Sequence, residues 1–388
     1  MQFTDFSKLD LARLPSPCFV VDEVAVERNL KILRHVAEQS GAKVLAALKA
    51  FSMWSLGPLT GQYLNGTCAS GLHEAKLGHE CYGGEVHVFS AAYSEADLRE
   101  LLEFAHHIVF NSCSQWQRFQ PLCRAAKAKR PELNFGLRIN PEHSEGAVPI
   151  YDPCAPGSRL GITLAQLDES LLDGISGLHF HTLCEQGFEP LRRTLEAVEE
   201  KFGHLLAQMQ WLNFGGGHHI TAPDYQVDNL IALIRDFSAR HHVQVYLEPG
   251  EAIAIGTGIL SCEILDITWN QLNQAILDTS ATCHMPDILE MPYRPDISGA
   301  DAVNKLAYSY RLGGLTCLAG DVIGDYSFNQ PLEIGQRLIF EDMAHYTMVK
   351  TTTFNGTRLP AIALWNSATD ALRIVKQFSY EDFKYRLS

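Results

Sequence analysis

The sequence predicts an α/β protein: a (β/α)8 barrel followed by a second, mostly β domain. Eight short apolar runs recur between residues 43 and 247, and segments with helical apolar spacing lie between them. After about residue 256 alternating strands replace this pattern, punctuated by Gly313-Gly314, Gly320, Gly324 and Pro360. A doubly wound sheet is the structural rival, but its Gly-x-Gly-x-x-Gly fingerprint is absent from the N-terminal half.

Taken in order, the run Cys18-Phe19-Val20-Val21 precedes the first barrel helix and is expected to pair into the second domain. The barrel is therefore expected over 22–255, and the β domain over 1–21 plus 256–388. Asp22 is the expected N-cap of the first helix, with Val26, Leu30, Leu33 and Ala37 at helical spacing and Gly41 as its stop. Barrel strands are predicted at 43–48, 64–69, 86–89, 107–110, 133–139, 175–180, 209–214 and 243–247. Helical patterns at 71–80, 95–106, 115–129 and 190–206 suit the crossovers, and strands at 259–267 and 373–378 open and close the β domain.

Composition narrows the function classes. The chain has 388 residues, 46% hydrophobic and 20% charged, enough for a large core and a second domain. A net charge of −14 argues against nucleic acid and is compatible with a cationic small molecule. The ten cysteines form no Cys-x-x-Cys pair, which argues against a zinc ribbon or a thioredoxin-like site. No apolar stretch approaches a membrane span and Met1-Gln2-Phe3-Thr4-Asp5 lacks signal-peptide character, so a cytoplasmic location is expected.

The unusual residues fall just after predicted strands, where a barrel carries its site. Lys49 closes Val44-Leu45-Ala46-Ala47-Leu48, a setting that desolvates an amine and makes it a better nucleophile, although strand-end lysines also snorkel to water. Arg138 ends the fifth strand. His179 and His181 share a strand face, as a flat partner for an aromatic ring or as barrel histidines satisfied by hydrogen bonds, and no spacing supplies further metal ligands. Gly215-Gly216-Gly217 permits backbone amides to approach a phosphate, or makes only a tight turn. Glu248 suits a protonated pyridine nitrogen, or a surface salt bridge. The pairs His106-His107, His218-His219 and His241-His242 read as surface or loop composition. A reactive lysine, a phosphate cradle, a stacking ring and a carboxylate for a ring nitrogen together describe a pyridoxal 5'-phosphate site.

With these residues in order the chain resembles the alanine-racemase-fold (fold type III) pyridoxal phosphate decarboxylases, the group of ornithine, arginine and diaminopimelate decarboxylases. The match runs along nearly the whole chain: Ala47-Leu48-Lys49, Cys68-Ala69-Ser70, Leu137-Arg138-Ile139, His179-Phe180-His181, Gly215-Gly216-Gly217, Glu248-Pro249-Gly250, Thr316-Cys317, Tyr346-Thr347 and Phe354-Asn355-Gly356. The resemblance implies that Lys49 holds the cofactor covalently, His181 stacks on its ring and Glu248 keeps its nitrogen protonated. It implies that Gly215, Gly216, Gly217 and Tyr346 bind the phosphate, with Arg138 also at the cofactor. It further implies a homodimer with shared sites, in which Cys317 of the partner subunit, or Lys49, returns a proton after decarboxylation.

Departures from the family pattern bear on substrate. The family usually has arginine after Glu-Pro-Gly, whereas this chain has Glu251. An anion there rejects a distal carboxylate and favours an amine. The stretch Leu318-Ala319-Gly320-Asp321 lacks the acidic residue that diaminopimelate decarboxylases place directly after the cysteine. These features resemble the carboxynorspermidine/carboxyspermidine decarboxylase branch, which implies a carboxypolyamine substrate whose amines meet Glu251, Asp287 and Asp321. The two aspartates could equally cap loops. Other basic amino-acid decarboxylases, or a noncatalytic antizyme-like protein, are the alternatives.

Overall fold

The computed structural model describes residues 4–388. The chain divides into two compact units: Glu27–Ile253 make one, and the described residues up to Val26 with Ala254–Ser388 make the other.

After β1 (Cys18–Asp22), α1 (Glu23–Ser40) leads into the first unit. Asp22 accepts from the Val24 N–H at its start, and Gly41, at φ +78, ends it with an N–H bond to Ala37 O. There follow β2 (Lys43–Ala47), α2 (Gly57–Tyr63), β3 (Gly66–Ala69), α3 (Leu72–Cys81), β4 (Glu85–Phe89), α4 (Glu95–Phe104), β5 (His107–Phe110) and α5 (Cys113–Lys129). Next come β6 (Asn134–Arg138), β7 (Gly177–His179), α6 (Phe188–Leu206), β8 (Trp211–Asn213), α7 (Val227–His241), β9 (Gln244–Leu247) and α8 (Glu251–Ala254). Strands β2 to β9 are parallel and close into a barrel, as the recurring apolar runs predict.

Strict alternation fails once. Between β6 and β7 the chain has only 3-10 turns, because Pro141, Pro149, Pro153 and Pro156 remove the donors a helix needs. Inside the barrel Leu45, Val109, Trp211 and Tyr246 form one cluster with Cys68 and Phe89 packed on it. Gly136 and Gly177 leave the space Trp211 fills: a Cβ on either would lie 2.3 Å or 2.0 Å from the indole.

The second unit is built on β10 (Gly258–Asn270), β11 (Leu272–Leu277), β12 (Ala300–Ala302), β13 (Tyr308–Gly313), β14 (Val322–Phe328), β15 (Arg337–Phe340), β16 (Ala361–Asn366) and β17 (Ala371–Lys376). Short helices α9 (Ala281–His284), α10 (Asp287–Glu290) and α11 (Tyr380–Lys384) decorate it. The sheet order is β12-β14-β13-β11-β10-β1-β16-β17, with β15 pairing β10. β1 runs antiparallel to β10 and parallel to β16, so this N-terminal strand completes a sheet otherwise made from the C-terminal third. Every β1 residue is buried, the closing Asp22 included, consistent with its apolar run Cys18-Phe19-Val20-Val21.

Candidate active site

The strands of the barrel deliver their chemical groups at their C-terminal ends. Lys49 lies in the turn after β2, where the Ala50 and Phe51 N–H groups both donate to Ala47 O at 3.2 and 3.4 Å. The residue reaches solvent at the rim, yet protein crowds its amine. That crowding lowers the amine pKa, and Arg138 reinforces it against the pull of Cys68 and Glu248.

His181 Nε2 stands 3.1 Å from Lys49 Nζ, while its Nδ1 accepts the Gly216 N–H at 2.9 Å. Burial, then repulsion from Lys49 and Arg138, holds the imidazole pKa well below its ordinary value, so the ring is neutral. Since Nδ1 accepts, the network assigns the ring proton to Nε2. Lys49 then faces a donor, and an unprotonated amine is the form that completes this bond.

Glu248 follows β9. Its Oε1 accepts from Asn213 Nδ2 at 2.7 Å and its Oε2 faces His179 Nε2 at 3.2 Å. Burial alone would raise its pKa; the pull of His179 and the hydrogen bonds from His179 and Asn213 overcome this and lower it to about 2. The carboxylate is thus a fixed negative charge. Arg138 stacks over the Phe89 ring at 4.5 Å and donates from Nη2 to His181 O at 3.0 Å; burial lowers its pKa to about 10.

The triple glycine reads differently in three dimensions. A Cβ on Gly215, Gly216 or Gly217 would lie 2.4, 2.0 or 1.9 Å from the carbonyl oxygen of Phe180, Glu248 or Leu183, so packing against the chain itself demands glycine. The Gly215 N–H donates to Asn213 Oδ1 and that of Gly216 to His181. Of the three, only the Gly217 N–H donates to no protein acceptor among the described residues. With the adjacent amine and ionised carboxylate, that open donor fits pyridoxal phosphate.

Glu251 begins α8, and its carboxylate lies 3.2 Å from His219 Nε2, with a side chain only 14% exposed. The remaining predicted residues belong to the sheet unit. Cys317 is exposed, and its N–H donates to Asn355 Oδ1 at 2.8 Å. Tyr346 adopts φ +48 before a 3-10 turn. Asp287 pairs with Lys350, which also reaches Glu290 at 2.7 Å. Asp321 accepts from Ser280, Thr282 and Thr316, which matches the loop-capping alternative the sequence offered for it.

Sequence reasoning missed Asn213, whose signal was a lone amide ending the apolar run Trp211-Leu212-Asn213. It also misread the histidine pairs. His107 is buried inside the barrel, its ring stacked 3.8 Å from that of His87, and His218 is buried against Tyr225 with a pKa lowered by burial to about 3. Glu85, His87 and His107 form the one group of metal-ligand type among the described residues. It lies toward the N-terminal ends of the strands, and Lys43, His87 and Tyr246 already occupy the Glu85 carboxylate.

Residues 18–344 match the family described as the pyridoxal-dependent decarboxylases, C-terminal sheet domain. The chain is 45% identical over 379 residues to a carboxyaminopropylagmatine decarboxylase of a Synechocystis species, covering 97% of this chain and 96% of the relative. It is 42% identical over 385 residues to a carboxynorspermidine/carboxyspermidine decarboxylase of Campylobacter jejuni, covering 96% and 99%. The crystal structure of carboxynorspermidine decarboxylase with norspermidine from Campylobacter jejuni superimposes with a TM-score of 0.88 at 41% identity, over 96% of this chain and all of that one. Barrel, sheet unit and rim chemistry agree with these likenesses. The chain belongs to the pyridoxal-dependent decarboxylase family, in the group that holds the carboxynorspermidine/carboxyspermidine decarboxylases, and its cofactor is pyridoxal phosphate.

Proposed function

We propose that this decarboxylase acts on a carboxypolyamine, carboxynorspermidine or carboxyspermidine, and releases norspermidine or spermidine. The observation that carries the reading is Glu251, a half-buried anion directly after Glu248-Pro249-Gly250 where the family usually places arginine. The Campylobacter relative named for these substrates supports it. Asp287 is a second amine partner, reached by exchange with Lys350.

Pyridoxal phosphate, when bound, supplies the electron sink that makes loss of the carboxylate feasible. Lys49, its amine pKa lowered by burial, would hold it covalently, and the ionised Glu248 would favour a proton on its ring nitrogen. His181, neutral and oriented by Gly216, offers a flat ring for stacking. Gly217 and Tyr346 take the phosphate, and Arg138 anchors the His181 segment beside it. Cys317 of the partner subunit returns the proton to the α-carbon within a head-to-tail homodimer, and its exposure in its own unit supports that assignment. Such small-molecule biosynthesis suits the cytoplasm, and no helix among the described residues is long and apolar enough to cross a membrane.

The Synechocystis relative favours a second reading, a substrate ending in the guanidinium of agmatine rather than an amine. Purified holoenzyme assayed for carbon dioxide release from carboxynorspermidine, carboxyspermidine, carboxyaminopropylagmatine, ornithine and diaminopimelate separates them. Preference for either of the last two overturns the proposal.

A further inference from the structure

The carboxylate of Asp321 is buried, 5% exposed, in the loop between β13 and β14. Its Oδ2 accepts from Ser280 Oγ at 2.8 Å, Thr316 N at 3.1 Å and Thr316 Oγ1 at 2.7 Å; its Oδ1 accepts from Thr282 N at 3.2 Å. A carboxylate taken out of water is tolerated only when satisfied in this way. The loop also closes on itself: Gly314 N–H donates to Asp321 O and Asp321 N–H to Leu318 O, both at 2.9 Å. A Cβ on Gly314 would lie 2.5 Å from Asp321 Oδ2, so the loop is shaped around this carboxylate.

Cys317 directly follows Thr316 in that loop. Thr316, the residue before it, is tied by backbone and side chain to Asp321, and the Cys317 N–H is tied to Asn355, which holds the left-handed φ of +57. Thr352 N–H donates to Cys283 O at 2.8 Å and so joins the segment carrying Asn355 to the one carrying Ser280. Leu315 and Leu318 on either side are 48% and 46% exposed, so apolar burial does not hold the cysteine in place. Its position rests on polar bonds centred on one buried acid.

We infer that Asp321 is a positioning residue that fixes the Cys317 thiol for proton delivery and thereby decides the fate of the decarboxylated substrate. This rests on Cys317 being the proton donor. When the α-carboxylate leaves as carbon dioxide, its bonding electron pair stays behind. Transfer of the thiol proton to the α-carbon consumes that pair and gives the amine, and solvent reprotonates the thiolate. With the thiol displaced, bound pyridoxal phosphate would take up a solvent proton in place of the α-carbon, and hydrolysis with one water would release an aldehyde and leave the substrate nitrogen on pyridoxamine phosphate.

The test counts amine, carbon dioxide and pyridoxamine phosphate per turnover of holoenzyme with its best carboxypolyamine substrate. Asp321→Asn and Thr316→Val should lower the amine-to-carbon-dioxide ratio by about twofold or more, with matching pyridoxamine phosphate, while Thr316→Ser, which keeps the hydroxyl, restores it. Hydrogen exchange at the Thr316 and Cys317 amides should quicken by about tenfold in Asp321→Asn, with or without cofactor. An unchanged product ratio alongside faster exchange, or unchanged exchange in folded protein, overturns the inference. If Asp321→Asn does not fold, the valine and serine variants at Thr316 decide. Absence of carbon dioxide from every carboxypolyamine with the unmodified enzyme instead overturns the functional proposal, and the exchange readout still reports on the clamp.

Discussion

Lys49 Nζ stands 3.1 Å from His181 Nε2, and the other nitrogen of that ring is occupied by the Gly216 N–H. The imidazole therefore donates toward the lysine, which favours the neutral amine. The crowding that lowers the Lys49 pKa acts in the same direction.

In cofactor-free protein, pyridoxal should form its imine on Lys49 with a pH midpoint below the ordinary lysine value of 10.5. His181→Phe removes the donor, so the midpoint should move up toward that value; an unmoved midpoint would contradict the proton assignment. Between its lowered folded value and 10.5 the unfolded chain binds the extra proton, so Lys49 makes stability rise with pH across that window. Lys49→Ala should abolish the imine absorbance altogether, and a retained band would refute its role.

Glu248 has a folded pKa of about 2 against an ordinary 4.5. The stability it contributes is complete above the ordinary value and lost as pH falls toward the folded one, worth up to roughly 3 kcal/mol. Urea unfolding midpoints at acidic and near-neutral pH should show Glu248→Gln losing less on acidification than the unmodified protein. The same variant should lower kcat by about 10² to 10³-fold through loss of the fixed charge. Asn213→Ala, which unties both Glu248 and the Gly215 N–H, should cost about 1–3 kcal/mol of stability and weaken cofactor retention.

Glu251→Arg reverses the charge beside His219. Cofactor absorbance should survive, while kcat/KM for carboxypolyamines should fall by about 10²-fold or more, as like-charge contacts cost several kcal/mol. An equal loss toward ornithine would show that Glu251 does not read the polyamine amines.

Shared sites predict complementation. Lys49→Ala and Cys317→Ala should each be impaired alone, but equal mixtures allowed to exchange subunits should recover about a quarter of full activity, since half the dimers would carry one intact site of two. No recovery in mixtures shown to have exchanged would place both residues in one chain's site.

The sequence by itself determined the barrel, the β texture of the second unit and the positions of Lys49, His181 and Glu248. Apolar period and strand-end placement are local properties, readable from neighbours in the chain. It did not reveal the helix-free connection between β6 and β7 as a break in the repeat, because the count of strands already satisfied the pattern. Tertiary structure alone decided which groups meet. Asn213 gained meaning only when β8 and β9 set it against Glu248, and the triple glycine proved to be shaped by the carbonyls of Phe180, Leu183 and Glu248. For Asp321 the sequence left substrate ligand and loop cap open, and the contacts of Ser280, Thr282 and Thr316 with its carboxylate are those of a loop anchor. Hydrogen-bond satisfaction depends on partners distant in sequence, and no local pattern encodes them.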